Sequence, residues 1–372
     1  MGVYDYEICS IQLDLASERK LVEKFLASRQ LKLDPDVDFT MAIKSGGRLV
    51  GTGSLAGNVL KCIAVDLDYQ GEALTNKIVT ELELEAYHRD IEHLFLFTKA
   101  SNHSVFESLG FGLVASTTAL IADSEPVGAS DTGGGTEATD GVVLLEKPEG
   151  QIDTWLKQLV VQEAAGSSTA LVMNCNPFTL GHRYLVEQAA RRAAAAGQLV
   201  HLCVVSAERS LFPQQVRYEL VKRGTAEFEN VRVHHGGPYI ISGATFPSYF
   251  LRDSAAVTTA HARLDLQIFG ERIAPALDIQ RRMVGEEPYC PVTAAYNREM
   301  KRILPAYGVE VEEIPRLTQG GAAVSASKVR ELIHESRWSE IEALVPPVTW
   351  EYLNSPEAEP VIERIRREKR RH

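Results

Sequence analysis

Two short strings, N-P-F-T-L-G-H at 176–182 and V-S-A-S-K-V-R at 324–330, constrain the fold most, because each sits where an apolar strand runs into a helix. The first follows the apolar run Ala170-Leu171-Val172-Met173. It opens a helix with Leu185, Val186, Ala189 and Ala190 at helical spacing, which stops at Gly197. The second follows the strand-like Val309–Pro315 and opens a helix with Val329, Leu332 and Ile333 on one side. A helix start presents unpaired N–H groups and the positive end of the backbone dipole, which suits an anion such as a phosphate. His182 stands beside the first start as a donor to a phosphoryl oxygen. Ser325, Ser327 and Arg330 stand at the second. Either string alone is weak, since an S-x-S-x-x-R is ordinarily an N-cap and a solvated arginine. Ser325 and Ser327 read equally well as caps and as phosphate ligands, because both uses share one geometry.

Strand signals at Ala170–Met173, Leu199–Val205, Val231–His234, Leu264–Phe269, Arg282–Val284 and Val309–Ile314 alternate with helical stretches. Alternation implies right-handed parallel crossovers, hence an α/β fold with a Rossmann-like, doubly wound parallel sheet. Ligands of such sheets lie off the carboxyl ends of the strands, where both strings fall. Residues 1–147 form a separate α/β unit. Its strands are expected at Phe39–Lys44, Leu49–Leu55, Leu60–Val65, Leu94–Thr98, Phe111–Ile121 and Val142–Leu145, and its helices at Ser17–Arg29, Glu72–His88 and Ser104–Leu109. The Gly-rich polar segment 122–140 reads as a disordered loop inside that unit. Residues 148–168 read as a linker helix, 169–353 as the second domain, and 354–372 as a basic tail with a solvated, frayed helix end.

A chain of 372 residues is long enough for two full cores. The net charge of −11 argues against broad nucleic-acid binding. Cys9, Cys62, Cys175, Cys203 and Cys290 form no C-x-x-C and no disulfide framework; Cys62, Cys175 and Cys203 sit in apolar runs and are expected as buried thiols. No run of about 18 apolar residues is present, so no membrane span is expected. The N-terminus lacks a signal-like core, and with the free cysteines and no span a reducing, cytoplasmic setting is expected. His234 and His235 are neighbours on a strand and point to opposite faces, so a shared metal is not expected.

The two strings in this order, about 145 residues apart, resemble the T/H-x-G-H nucleotidyltransferase superfamily. The chain as a whole, from about residue 1 to 353, resembles the citrate lyase ligase family. Further strings carry that resemblance: A-G-N-V-L-K-C-I-A-V at 56–65, L-F-P-Q-Q-V-R at 211–217, Y-I-I-S-G-A-T-F-P-S-Y-F at 239–250, D-L-Q-I-F at 265–269 and V-G-E-E-P-Y-C-P-V-T-A-A-Y-N at 284–297. The resemblance implies an ATP-dependent, AMP-forming acid–thiol ligase. ATP and acetate give acetyl-AMP and pyrophosphate, and the acetyl group then passes to the thiol of the CoA-like prosthetic group on the acyl carrier subunit of citrate lyase. It implies His182, Thr179 and Arg330 as catalytic residues. Asn174, Asn176, Pro177, Phe178, Gly181, Gly285, Glu286, Ser325 and Ser327 are implied at the ATP site, with Gly181 letting the nucleotide approach the backbone. Asn176 is as readily a turn residue, and Arg217 reads equally as an acetate or phosphate contact or as a surface arginine. Mg²⁺ is expected to arrive on the ATP phosphates without a dedicated ligand set.

The N-terminal half resembles the GNAT acyltransferase fold, with S-N-H-S-V-F-E-S-L-G-F at 101–111 matching an Asn-led helix before a Gly-Phe turn. It departs at the acyl-CoA loop, where Asp68-Tyr69-Gln70-Gly71-Glu72-Ala73 replaces Q/R-x-x-G-x-G/A. An acidic residue there suits a pyrophosphate poorly, so acetyl transfer by this half is not expected. A spacer, or a grip on a pantetheine-like arm through Gln70, Gly71, Ala73 and Asn102, both stay open. Two rival functions share the same strings: an adenylyltransferase joining AMP to a phosphate acceptor, and a non-catalytic CoA- or carrier-binding regulator.

Overall fold

The computed structural model describes residues 6–69, 73–117, 141–160, 166–206, 210–246 and 255–367. The segment 122–140 and Gln70 and Gly71 lie outside the described residues. The chain divides into two compact units, Met1–Gln151 and Ile152–His372.

The first unit is built on a seven-stranded sheet of β1 (Tyr6–Ser10), β2 (Phe39–Ser45), β3 (Arg48–Ala56), β4 (Val59–Val65), β5 (Leu94–Lys99), β6 (Gly112–Ser116) and β7 (Val142–Lys147), in the order β1-β2-β3-β4-β5-β7-β6. Gly46 and Gly47, both at positive φ, close the β2–β3 hairpin across the Ser45–Arg48 pair. A two-residue turn of that hand matches strand twist, and glycine adopts it without strain. All neighbours are antiparallel except β4 and β5, which pair in parallel only at Val59–Phe95 and Leu60–Leu96. Helices α1 (Ala16–Ala27), α2 (Leu74–His88) and α3 (His103–Glu107) complete the unit. Ile78, Val79, Leu82 and Ala86 of α2 close the main core over Met41, Ile43, Leu60 and Leu96. The expected strands and helices are present over the described residues; Glu72 of the expected second helix and residues 118–121 of the strand expected at Phe111–Ile121 lie outside them. β1 is an addition, an edge strand largely exposed on both faces and therefore without a clear alternation in sequence.

The second unit opens with α4 (Gln151–Leu159), whose first residue closes the preceding unit. Five strands follow: β8 (Ser168–Met173), β9 (Val200–Val204), β10 (Val231–His235), β11 (Ile279–Gly285) and β12 (Glu310–Ile314). All pair in parallel, in the order β10-β9-β8-β11-β12. The chain winds outward from β8 through β9 and β10, then returns to the other side of β8 for β11 and β12. The direction reverses between β8 and β11, which opens a crevice at their carboxyl ends.

One face of this sheet packs Leu171, Met173, Leu202, Val204 and Met283 against Val186, Ala189 and Ala193 of α5 (Leu180–Ala195) and Leu220 and Val221 of α6 (Gln214–Gly224). Across the other, α7 (Ala255–Ile268) and α8 (Pro291–Ile303) carry a buried polar chain. Arg282 Nη2 donates to Tyr296 Oη (3.1 Å), and Tyr296 donates to Asp265 (2.6 Å). Asp265 also accepts from Ile241 N and Thr245 Oγ1 (both 2.7 Å). Three strings that carried the family resemblance thus join through Asp265 and Tyr296, holding the Tyr239–Phe246 segment to the domain.

The strand expected at Leu264–Phe269 is instead the end of α7, continued by a π turn over Phe269–Ile273. Leu264, Asp265, Leu266, Gln267, Ile268 and Phe269 are all buried. A helix end covered on every side shows no 3.6-residue periodicity, and a short apolar run of that kind reads as a strand. A small hairpin, β13 (Thr318–Gln319) with β14 (Ala322–Ala323), leads to α9 (Ala326–His334), α10 (Trp338–Glu342), α11 (Pro347–Leu353) and α12 (Glu359–Arg367). Val361, Ile362 and Ile365 of α12 pack with Val329, Leu332 and Ile333 of α9, so the chain packs well beyond residue 353. Among the described residues no helix is long and apolar enough to cross a membrane. Cys175 and Cys203 are buried free thiols; Cys62, expected buried, is half-buried and donates to Lys32 O (3.4 Å).

Candidate active site

The crevice at the carboxyl ends of β8 and β11 is formed by the two strings that the sequence singled out. Thr179 is the N-cap of α5, and its backbone N–H donates to His182 Nδ1 (3.1 Å), with Thr179 Oγ1 at 3.0 Å from the same nitrogen. A backbone N–H only donates, so Nδ1 is the acceptor and the neutral ring carries its proton on Nε2. The Phe178 ring lies nearly parallel to the imidazole, with ring centroids 6.1 Å apart. Burial, followed by the neighbouring Arg316 and Arg330 charges, pushes the His182 pKa down to about 4. His182 is therefore a neutral donor rather than an imidazolium across the physiological range.

The second string meets the first directly. A Cβ on Gly181 would lie 2.7 Å from the Val324 carbonyl oxygen. Gly181 thus admits another part of the protein backbone, in addition to any room it leaves for a nucleotide. Ser325 caps α9, accepting from Lys328 N (3.1 Å). Arg330, one turn on, donates to Asn176 O and to Ser327 Oγ (3.2 Å). The starts of α5 and α9 are so held against each other.

The turn between β8 and α5 is braced from below. Asn174 Oδ1 accepts from Ser210 Oγ (3.0 Å), and Asn176 Oδ1 accepts from Phe212 N (3.0 Å). Arg217 is fully buried, contrary to its expected surface or ligand-facing position. It donates to Asn174 O (3.0 Å), Asn174 Oδ1 (2.9 Å), Val205 O (2.5 Å) and Phe212 O (3.0 Å). Its helical spacing in L-F-P-Q-Q-V-R places it on the inner side of α6, where it organises the turn. Phe178, expected at the ATP site, is also wholly buried: it fills the space beside Gly224, and its carbonyl accepts from Thr349 Oγ1 (2.9 Å). Pro177 is buried beside it.

Gly285 and Glu286 lie at the end of β11. Gly285 O accepts from Asn297 Nδ2 (3.2 Å), and Glu286 N donates to Ile314 O (3.0 Å). Arg316, which no sequence motif marks, lies two residues beyond β12 and donates to Glu286 O (2.5 Å) and to Glu287. A cation just past the last strand of a doubly wound sheet was the signal available. His234 pairs with His201 on β9 (3.0 Å) while His235 stacks on Tyr218, so the adjacent histidines do separate as their strand periodicity requires. In the first unit, Ala73 is left-handed (φ 56°) at the start of α2, and Asn102 donates to Thr98 Oγ1 (3.0 Å) at the start of α3.

Residues 168–353 match the family model for the citrate lyase ligase C-terminal domain. The curated [citrate [pro-3S]-lyase] ligase of Klebsiella pneumoniae is 41% identical over 340 residues, covering 90% of this chain and 92% of its own. That of Haemophilus influenzae is 37% identical over 352 residues, covering 91% and 97%. The chain belongs to the citrate lyase ligase family. A GNAT-family acetyltransferase from Staphylococcus aureus MU50 is similar in structure, with 15% identity over 38% of this chain and 98% of its own, at a TM-score of 0.28. Family membership covers both units, and the expected combination of α/β domains is what the fold displays.

Proposed function

We propose that the crevice at the ends of β8, β11 and β12 adenylates acetate with ATP, and that the acetyl group then passes to the thiol of the prosthetic group on the citrate lyase acyl carrier. The observation that carries this reading is the meeting of two anion-suited helix starts around a neutral His182, through the Gly181–Val324 approach and the Arg330–Asn176 bond. The chain is an ATP-dependent ligase by its family.

In the first half-reaction an acetate carboxylate oxygen attacks the α-phosphorus, and the bond to the bridging oxygen of the β-phosphate breaks. His182 Nε2–H donates to an α-phosphoryl oxygen as negative charge crowds there. Arg330 and the N–H groups at the start of α9 hold the departing pyrophosphate. No proton needs to move in this step, so a fixed donor suits it better than a titrating one. Thr179 acts through His182, since its own groups are spent on the cap and on Nδ1. In the second half-reaction the carrier thiolate attacks the acetyl carbon and AMP leaves. Mg²⁺ would arrive on the ATP phosphates and keep several of its waters. In the first unit, no described side chain caps the start of α2 at Leu74, and its N–H groups would face the prosthetic arm.

The test supplies purified deacetylated carrier, ATP and acetate. Expected products are acetyl-carrier, AMP and pyrophosphate in equal amounts. A dinucleotide-type product with no free AMP would favour transfer to a phosphate acceptor instead.

A further inference from the structure

Arg316 stands where the second half of the crevice closes. Glu286 N–Ile314 O (3.0 Å) ties the ends of β11 and β12 together, and Arg316 follows directly. The Val324 N–Leu317 O bond (2.9 Å) then returns the chain, past the small hairpin, to the string that packs on Gly181. Arg316 thus lies two residues past the Glu286–Ile314 tie and next to Leu317, whose carbonyl holds the string that packs on Gly181. Its guanidinium is held from behind: Nε by Glu286 O (2.5 Å) and Nη2 by Glu287. Glu287 is fixed in turn, its Oε1 accepting from Tyr289 N and Cys290 N (both 3.0 Å). The Tyr289 ring, 68% exposed, flanks the guanidinium at 5.7 Å. No described residue takes Arg316 Nη1, and the side chain is partly open to solvent.

We propose that Arg316 binds the α-phosphate of the nucleotide and stays with it through both half-reactions, with Glu287 as the residue that positions it. This rests on the assignment of adenylation to the crevice and extends it by dividing the two arginines. Arg330 lies on α9, on the side assigned to the leaving pyrophosphate, and loses its ligand when pyrophosphate departs. Arg316 hangs on Glu286, which the family resemblance implies at the ATP site away from α9, and keeps its ligand in ATP, in acetyl-AMP and in AMP. The electrostatic influence of Arg316 on His182 supports the proximity that this requires. Retaining the adenylate until the carrier thiol arrives is the use of such a contact, because a free acyl adenylate is open to hydrolysis.

The experiment titrates the full chain and its Arg316→Ala, Arg316→Lys, Glu287→Gln and Arg330→Ala variants with AMP, adenosine and ATP by calorimetry. Arg316→Ala is expected to weaken AMP about 10–100-fold, the size of a hydrogen-bonded charge contact, while adenosine stays within about twofold. Arg316→Lys keeps the charge without the fork and falls between. Glu287→Gln shows a smaller loss in the same direction. Arg330→Ala weakens ATP and spares AMP. AMP affinity within about twofold of wild type in Arg316→Ala would overturn the proposal. So would an equal loss for adenosine, which would make Arg316 a brace for the turn. If Arg316→Ala does not fold, Arg316→Lys is judged by the same AMP-to-adenosine comparison. Failure of the wild type to bind any nucleotide would overturn the adenylation reading itself, and this assignment with it.

Discussion

Replacing His182 with alanine is expected to lower acetate-dependent pyrophosphate exchange by about 10²–10³-fold, the usual cost of one preorganised donor to a developing charge. The fold should survive, because His182 is half-buried and the Val186, Ala189 and Ala193 face of α5 is unchanged. The Thr179 Oγ1 cap on the backbone N–H of residue 182 is kept, and only the reciprocal Thr179 N–His182 Nδ1 bond is lost, at a cost of about 0.5–1.5 kcal/mol. A pH profile separates this role from general acid–base work. The His182 pKa is lowered, to about 4, so the neutral Nε2–H form persists above that value and is lost only as pH falls through it. Exchange should show no inflection near the ordinary histidine pKa of about 6.5 on account of this residue. An inflection there that vanishes in His182→Ala would mean that His182 titrates in the working range. Exchange by the variant within about threefold of wild type would remove His182 from the mechanism.

Arg217→Met should give a large loss of stability. The methionine retains an apolar stem but leaves Asn174 O, Asn174 Oδ1, Val205 O and Phe212 O without this donor in the interior. Buried acceptors stripped of a charged partner cost about 1–3 kcal/mol each and do not add fully, so a total of about 3–5 kcal/mol is expected. Urea unfolding of the two proteins measures it. Activity should fall as well, because Asn174 and Asn176 shape the turn that aims His182. A loss below about 1 kcal/mol would show that the buried arginine is not the brace of that turn.

Much of the site was legible in sequence because its parts are local. A helix start is written in a cap, a glycine and an apolar stripe, so Thr179–His182 and Ser325–Arg330 could be found from one string each. What was not legible depends on the third dimension. The close approach at Gly181 is to a carbonyl 143 positions later in the chain (324 − 181), which no local pattern encodes. Phe178 and Arg217 differ from ligand-facing residues only in the direction of their side chains. Arg316 sits in a stretch without periodicity, and its importance comes from the neighbouring strand that supplies Glu286 and Glu287. The helix ending at Ile268 reads as a strand in sequence for a related reason: burial on every side removes the amphipathic signal that separates helix from strand.

The central claim is that acetate is activated as an adenylate in the second unit before any carrier takes part. Exchange of labelled pyrophosphate into ATP tests it most directly, with the purified chain, Mg²⁺ and acetate and no carrier protein. Label should enter ATP only when acetate is present, and free AMP should not accumulate to match. Exchange that needs the carrier, or that proceeds equally without acetate, would contradict an acetyl-AMP intermediate formed in this crevice.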